Sequence, residues 1–291
     1  MGDEVRQRLV QRIKDGPLLI APGVFDGISA KLAERAGCEA LYMTGYGTVA
    51  SALALPDAGL ASFTEMLDRV QLLASATSLP LVADADTGYG GLLNIRRTVR
   101  GYEAAGAAAI QIEDQEFPKK CGHTPGRRVI PAADMAKKIE VAVDSRSSAD
   151  FLVIARTDAR TSLGLDEALR RGEAYARAGA DMLFIEAPET EEEMRVIGRS
   201  FDTPLLINLV EGGRTPIPSP DVLQEMGFRL AIFPATGFLA MGRALSDAYS
   251  RLCRGLPAQA GSLYEFPEFH RLMGFEDVWA FERRFAQTER S

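Results

Sequence analysis

Short apolar runs recur along the chain, separated by longer stretches of helical pattern. Four of them follow one repeated phrase, in which a glycine closes a helical stretch and an apolar run begins at once. Ala36-Gly37-Cys38-Glu39 leads into 40–44, Ala105-Gly106-Ala107 into 108–113, Ala178-Gly179-Ala180-Asp181 into 182–186, and Met226-Gly227-Phe228 into 229–233. Glycine suits the left-handed position that ends a helix. A run apolar at every position suits a strand covered on both faces. Four further runs lie at Pro17–Ala21, Leu79–Ala83, Phe151–Ala155 and Pro204–Ile207, which makes eight. Pro80 and Pro204 stand where a strand starts, so the missing N–H costs no ladder bond. Helices are predicted over Phe63–Ala76, Asn94–Ala105, Ala132–Asp144 and Leu165–Ala178. Regular βα alternation means parallel strands with helical crossovers. Eight such units predict an α/β fold, a closed (β/α)8 barrel of the TIM type, over residues 1–255. No GxGxxG follows the first run, so an open dinucleotide-binding sheet lacks support.

The tail departs from this rhythm. After a Gly/Pro/Ala linker, Gly255 to Gly261, come Tyr264, Phe266, Phe269, Phe275, Trp279, Phe281 and Phe285. An aromatic helical segment placed after a closed barrel needs another surface to cover. Segment 256–291 is expected to pack on its own barrel or on a neighbouring subunit.

Composition narrows the function classes. With 33 basic and 40 acidic residues the net charge is −7, and no basic patch offsets it, which argues against nucleic acid. An anionic substrate needs a local cation to reverse that field. No apolar run approaches the ~18 residues of a membrane span. Met1 to Gly16 is charged and amphipathic rather than a secretory leader. Three widely spaced cysteines do not make a disulfide framework, so a cytoplasmic setting is expected.

The chemistry gathers where barrels of this kind carry it, at the C-terminal ends of the strands. The runs end in Thr44-Gly45-Tyr46-Gly47, Asp84-Ala85-Asp86-Thr87-Gly88, Glu113-Asp114-Gln115, Arg156-Thr157-Asp158, Glu186 and Asn208. A single acid there would read as a helix cap. Several converging on one mouth read as a site. Asp84, Asp86 and Glu113 are hard oxygen ligands suited to Mg²⁺ or Mn²⁺. Zinc is disfavoured, because the only histidines are His123 and His270 and no paired cysteine spacing exists. Asp57 reads either as a turn residue or as a further acid near the metal. Asp84 and Asp86 also suit the turn at Thr87-Gly88.

Between the fourth and fifth runs lies Phe117-Pro118-Lys119-Lys120-Cys121-Gly122-His123-Thr124-Pro125-Gly126-Arg127, a polar loop with the length of a functional lid. Lys119, Lys120 and His123 flank Cys121 and would lower its pKa. The same cations are placed to clamp an anion. Cys38 and Cys253 sit in helical pattern and read as packing thiols, and His270 reads as a structural or interface residue.

These motifs together resemble the isocitrate lyase/phosphoenolpyruvate mutase superfamily. The resemblance rests on Tyr42-Met43-Thr44-Gly45, Leu55-Pro56-Asp57, Asp84-Ala85-Asp86-Thr87-Gly88-Tyr89-Gly90, Gln111-Ile112-Glu113-Asp114-Gln115, Lys119-Lys120-Cys121-Gly122-His123, Arg156-Thr157-Asp158-Ala159, Glu186-Ala187-Pro188 and Asn208. It covers roughly residues 8–285. The Lys-Lys-Cys-Gly-His loop resembles the lyase branch, the 2-methylisocitrate and 2,3-dimethylmalate lyases.

The resemblance implies a Mg²⁺-dependent homotetramer whose last helices exchange between subunits, and a gating loop at about 115–127. It implies cleavage of a small anionic 2-hydroxy di- or tricarboxylate to a 2-oxo acid and a carboxylate by a retro-aldol (retro-Claisen-type) step. Cys121 would protonate the leaving carbanion with Lys119 and His123 assisting, and Tyr42 and Glu186 are both candidates for the base. Thr44, Gly45, Tyr46 and Arg156 would hold the 2-oxo acid carboxylate, and Gly122, Asn208 and His123 the other end. Glu211-Gly-Gly-Arg-Thr-Pro216, Tyr46 and Leu239 favour the dicarboxylate side of the branch. Pro234 stands where oxaloacetate hydrolases carry a serine, so that activity is the weaker alternative, alongside a carboxyphosphonoenolpyruvate-type phosphonomutase.

Overall fold

The computed structural model describes residues 2–120, 122 and 126–286. Its eight strands are β1 Leu19–Val24, β2 Leu41–Met43, β3 Leu81–Asp84, β4 Ala109–Glu113, β5 Leu152–Thr157, β6 Met182–Ile185, β7 Leu205–Asn208 and β8 Phe228–Phe233. All pair in parallel in chain order, and β1 pairs β8 through Leu19–Leu230 and Ala21–Ile232, which closes the barrel. The helices are α1 Gly2–Asp15, α2 Gly27–Arg35, α3 Gly45–Leu53, α4 Phe63–Ala76, α5 Leu92–Ala104, α6 Ala132–Ser145, α7 Ala159–Leu163, α8 Leu165–Arg177, α9 Glu191–Arg199, α10 Pro220–Glu225, α11 Thr236–Leu252, α12 Phe266–Leu272 and α13 Phe275–Phe285.

Every predicted strand is present, and the four named helices agree to within two residues at either end. The repeated phrase has its backbone reason: Gly37, Gly106, Gly179 and Gly227 all take φ near +90 to +105°. A side chain there would be strained, so the chain can leave each helix and enter the next strand within a few residues. The start of α4 is fixed by a capping box, with Ser62 N–H donating to Glu65 Oε2 at 2.7 Å and Glu65 N–H to Ser62 Oγ at 3.3 Å.

Two apolar layers make the core. Outside the barrel, helix faces pack on one side of the strands, for example Val70, Val99, Ile139 and Tyr175 against Ala83, Ile110, Val153 and Leu183. Inside it, Ala21, Tyr42, Val82, Ala109, Ile154, Phe184, Leu206 and Ile232 fill the lumen. Each buried side chain of Leu or Phe size contributes about 1.5–3 kcal/mol. Leu9 and Ile13 of α1 join the inner layer and close the lower end. Arg6 of the same helix is buried there. It donates to Glu103 O at 2.6 Å and Ala107 O at 3.3 Å and lies over the Phe151 ring.

The chain forms two compact units, Met1–Phe238 and Leu239–Ser291. The boundary between them falls within α11, which runs unbroken from Thr236 to Leu252. In the second unit the aromatic side chains pack on one another: His270 stacks on Phe275 at 4.6 Å and lies tilted against Phe266 at 4.5 Å. Neither α12 nor α13 has a buried residue, and Phe266 and Phe281 remain 73% and 66% exposed. Cys38, half-buried just beyond α2, packs against the outer layer as expected, whereas Cys253 is exposed and is not a packing thiol.

Candidate active site

Strand alternation delivers the site. Side chains two residues apart share a face, so the lumen-facing positions continue upward from the inner core to the mouth. Val82 leads to Asp84 and Asp86, Ala109 to Gln111 and Glu113, Ile154 to Arg156 and Asp158, Phe184 to Glu186, and Leu206 to Asn208. Tyr42 in the lumen leads to Thr44. All these polar residues are buried at one end of the barrel. Thr44, Asp84, Glu113, Arg156, Glu186 and Asn208 line a common pocket with Tyr42, Gly45, Tyr46, Asp57, Lys119 and Gly122. Asp86, Gln111 and Asp158 do not line it but bond to Lys119, Tyr42 and Arg156, which do. The chain must come close there: a Cβ on Gly45 would lie 2.6 Å from Asp84 Oδ2.

Burial shapes the acid cluster. It pushes the Asp86 carboxyl up to about 6, with Asp84 and Asp57 adding to it and Lys119 opposing it. Burial likewise raises Asp84, and lifts Glu113 well above the usual carboxylate range despite Arg156. Lys119 sits among these acids. Its ammonium is 2.7 Å from Asp86 Oδ1 and also pairs with Asp57. Burial works against its charge, but the four carboxylates outweigh that and hold it well above the usual lysine range. Asp84 serves the turn as well, since its Oδ1 accepts from Asp86 N–H at 3.0 Å. Asp86 itself has φ +49°, a left-handed conformation that aspartate tolerates.

On the other side, Arg156 lies 3.3 Å from Glu113 and 3.8 Å from Glu186, over the ring of Phe184. Asn208 Nδ2 donates to both oxygens of Glu186 at 3.3 Å. Tyr42 donates its hydroxyl to Gln111 Oε1 at 2.6 Å, and Gln111 Nε2 donates to Asp84 Oδ1 at 3.2 Å. Burial and then the charge of Asp84 push the Tyr42 hydroxyl well above the usual phenol range. Cys121 and His123 lie outside the described residues.

The chain is similar to known proteins along nearly its whole length. The family model described as phosphoenolpyruvate phosphomutase matches residues 9–253. The 2,3-dimethylmalate lyase of Eubacterium barkeri is 46% identical over 272 residues, 92% of this chain and 94% of that protein. The chain belongs to the phosphoenolpyruvate mutase/isocitrate lyase superfamily. Within it, the 2-methylisocitrate lyase of Aeropyrum pernix is 41% identical, over 97% of this chain and 90% of that protein. The structure of phosphonopyruvate hydrolase in complex with oxalate and Mg²⁺ superposes with a TM-score of 0.86 at 31% identity, covering 97% of this chain and 99% of that one.

The residues of this superfamily member fit a hard divalent cation. Several buried oxygens at the mouth await a partner. Glu113 Oε1 and Asn208 Oδ1 accept no hydrogen bond among the described residues, and Asp86 Oδ1 meets only the Lys119 ammonium. In this arrangement no three carboxylates among the described residues close into a compact cage. Mg²⁺ does not need one, because it commonly keeps several waters and takes one or two carboxylates.

Three participants carry no clear signal of their role in the sequence. Gln111 is legible only as the lumen-facing partner of Glu113 in alternation. Asp158 ends the fifth run, where a capping role would be the ordinary reading, yet its side chain makes no capping bond to α7 and binds two arginines instead. Asp114 faces away from the mouth, and only its long-range partners reveal it.

Proposed function

We propose that this carbon–carbon lyase cleaves a 2-hydroxy dicarboxylate bearing an alkyl group, of the 2,3-dimethylmalate type, to a 2-oxo acid and a carboxylate. The observation that carries the dicarboxylate reading is the division of the pocket. The acids and cations occupy one side. The other wall is apolar: the Tyr46 and Phe238 rings lie 5.1 Å apart, beside Val210, Pro234 and Ala235. Lys119, Lys120 and Arg156 are the cations lining the pocket among the described residues, and Lys119 and Arg156 already face carboxylates. A third substrate carboxylate would be buried against the apolar wall without a partner, which is costly, whereas an alkyl group gains from it.

Mg²⁺, held by Asp84, Asp86 and Glu113 with Asp57 behind them, would supply Lewis-acid polarisation of the substrate hydroxyl and carboxylate. The protein's own groups do the rest. Arg156 and the backbone at Thr44-Gly45-Tyr46 bind the carboxylate next to C2. Glu186 takes the C2 hydroxyl proton on a carboxylate oxygen. Tyr42 suits the base role less well, because its hydroxyl is already donated to Gln111 and burial disfavours the phenolate. The C2–C3 bond then breaks, C2 becomes the carbonyl of the 2-oxo acid, and the electron pair passes to C3. Cys121 gives its thiol proton to C3, with Lys119 and His123 in support, which releases the carboxylate product. Excluding water protects the carbanion from protonation at the wrong face. The exposed aromatic faces of α12 and α13 support a homotetramer in which those helices dock on a neighbouring subunit.

The test is detection of the 2-oxo acid or glyoxylate product as its phenylhydrazone, with oxalate release followed separately for oxaloacetate, over a panel of 2,3-dimethylmalate, other 2-alkylmalates, 2-methylisocitrate, isocitrate, oxaloacetate and phosphonopyruvate. The alkylmalates should give the highest kcat/KM, and Cys121→Ser should abolish cleavage while sparing Mg²⁺-dependent ligand binding. Preferential turnover of a tricarboxylate or of phosphonopyruvate overturns the reading.

A further inference from the structure

Behind the end of β5, Arg156 is backed by a buried polar assembly whose other members the chemistry above does not use. Asp158 Oδ2 accepts from Arg156 Nε at 2.9 Å, and its Oδ1 accepts from Arg156 Nη2 at 2.9 Å. The same Oδ1 accepts from Arg127 Nη1, while Arg127 Nη2 donates to Thr161 Oγ1 at 2.8 Å. The Asp158 N–H donates to Asp114 Oδ1 at 2.9 Å. Asp114 Oδ2 is held in turn by Thr157 Oγ1 at 2.7 Å, Tyr175 OH at 2.8 Å and Arg171 Nη1 at 3.0 Å. Both aspartates are completely buried.

A guanidinium between Glu113 and Glu186 alone would be drawn onto those carboxylates. A two-point bond to a third carboxylate fixes its plane instead. We infer that Asp158 is a positioning residue for Arg156, locked by Arg127 on one side and by Asp114 through its peptide N–H, so that the free edge of the guanidinium faces the substrate carboxylate. This rests on the reading of Arg156 as the carboxylate binder. Helix capping does not account for Asp158, since its side chain makes no capping bond. Buried ion pairing for stability alone does not account for the sharing of one oxygen between two arginines on different segments.

The experiment compares wild type, Asp158→Asn, Arg127→Met and the double variant. It measures KM and kcat on 2,3-dimethylmalate, the calorimetric Kd of oxalate with Mg²⁺, and Tm. Losing a charge-assisted pair should raise KM and the oxalate Kd about tenfold in Asp158→Asn, with a smaller change in kcat. Arg127→Met should raise both by a smaller factor and add nothing to Asp158→Asn, because it acts through that residue. A purely structural role lowers Tm and leaves KM and Kd alone. Values within about twofold of wild type in Asp158→Asn, or factors that multiply in the double variant, overturn the inference. If Asp158→Asn fails to fold, Arg127→Met and Asp114→Asn keep the Asp158 charge in place and must both raise the oxalate Kd; an unchanged value in either overturns it. If oxalate binding responds as stated but no alkylmalate is turned over, the functional reading fails and the positioning role stands.

Discussion

A methyl group on Gly122 would stand 2.6 Å from Arg156 Nη2 and 2.6 Å from Glu186 Oε1. The loop therefore comes down onto two site residues with no room for a side chain. Gly122→Ala should displace one or both of them. A shift near 1 Å at reacting groups costs about a hundredfold, so kcat/KM should fall by about that factor while the circular dichroism spectrum stays the same. Undiminished kcat/KM would mean that the loop does not seat there during turnover.

Metal dependence follows from the acid cluster. Chelation should abolish turnover, Mg²⁺ should restore it, and Mn²⁺ should do so in part. Glu113→Gln should weaken Mg²⁺ binding by at least about tenfold, because a charged ligand is replaced by a neutral one. Titration calorimetry of the chelated protein measures this. Equal affinity in the variant would remove Glu113 from the metal site.

The carboxyl of Asp86 is pushed up to about 6 from 3.8, chiefly by burial. The folded protein thus binds more protons than the unfolded chain between those values, so this group's contribution to stability falls as pH rises through that window. Without metal, Tm relative to an Asp86→Asn variant should drop from pH 5 to pH 7. Mg²⁺ binds the deprotonated form, so the rise in Tm on adding it should be larger at pH 7.5 than at pH 5. Scanning calorimetry decides, and a larger rise at pH 5 would contradict the arrangement.

The hydroxyl of Tyr42 is committed to Gln111, and Glu186 faces the pocket beside Arg156. Glu186→Gln should lower kcat by about 10²–10⁴-fold, the usual worth of a general base, and Tyr42→Phe should cost much less. Rapid-quench measurement of the cleavage step compares the two. The opposite order would return the base role to Tyr42.

At the lower end of the barrel, Arg6→Ala should destabilise the fold by about 2–4 kcal/mol, since it removes two buried hydrogen bonds and leaves Glu103 without its cation. Urea unfolding measures the loss. Kinetics should be retained below the melting range, because Arg6 lies at the opposite end from the mouth.

The period-of-two pattern explains why so much of the site could be read in advance. Once Val82, Ala109, Ile154 and Phe184 are lumen-facing, the chemistry two and four residues on must reach the mouth. The glycine-closed phrase likewise marks the starts of β2, β4, β6 and β8. Pairing across the barrel was not legible. Lys119 reads as a neighbour of Cys121 along the chain, yet its ammonium reaches Asp57 and Asp86, residues brought near only by closure of the barrel. Asp158 carries the local signature of a cap, but Arg127 and Arg156 outcompete the helix N–H groups for its carboxylate. Cys253 has a helical neighbourhood and no contact in sequence that reveals its exposure.

The helix that seals the lower end carries a kinetic consequence. With Leu9 and Ile13 seated on the inner layer and the lumen filled by side chains, the described residues close the lower end of the barrel and leave the mouth as its doorway. Substrate enters and both products leave by the same route, past the loop that bears Lys119 and Gly122. With the 2-oxo acid bound beside the acid cluster, as proposed above, that fragment would lie deepest. Release would then be ordered, the carboxylate first and the 2-oxo acid last, and in the reverse direction the 2-oxo acid would have to bind before its partner.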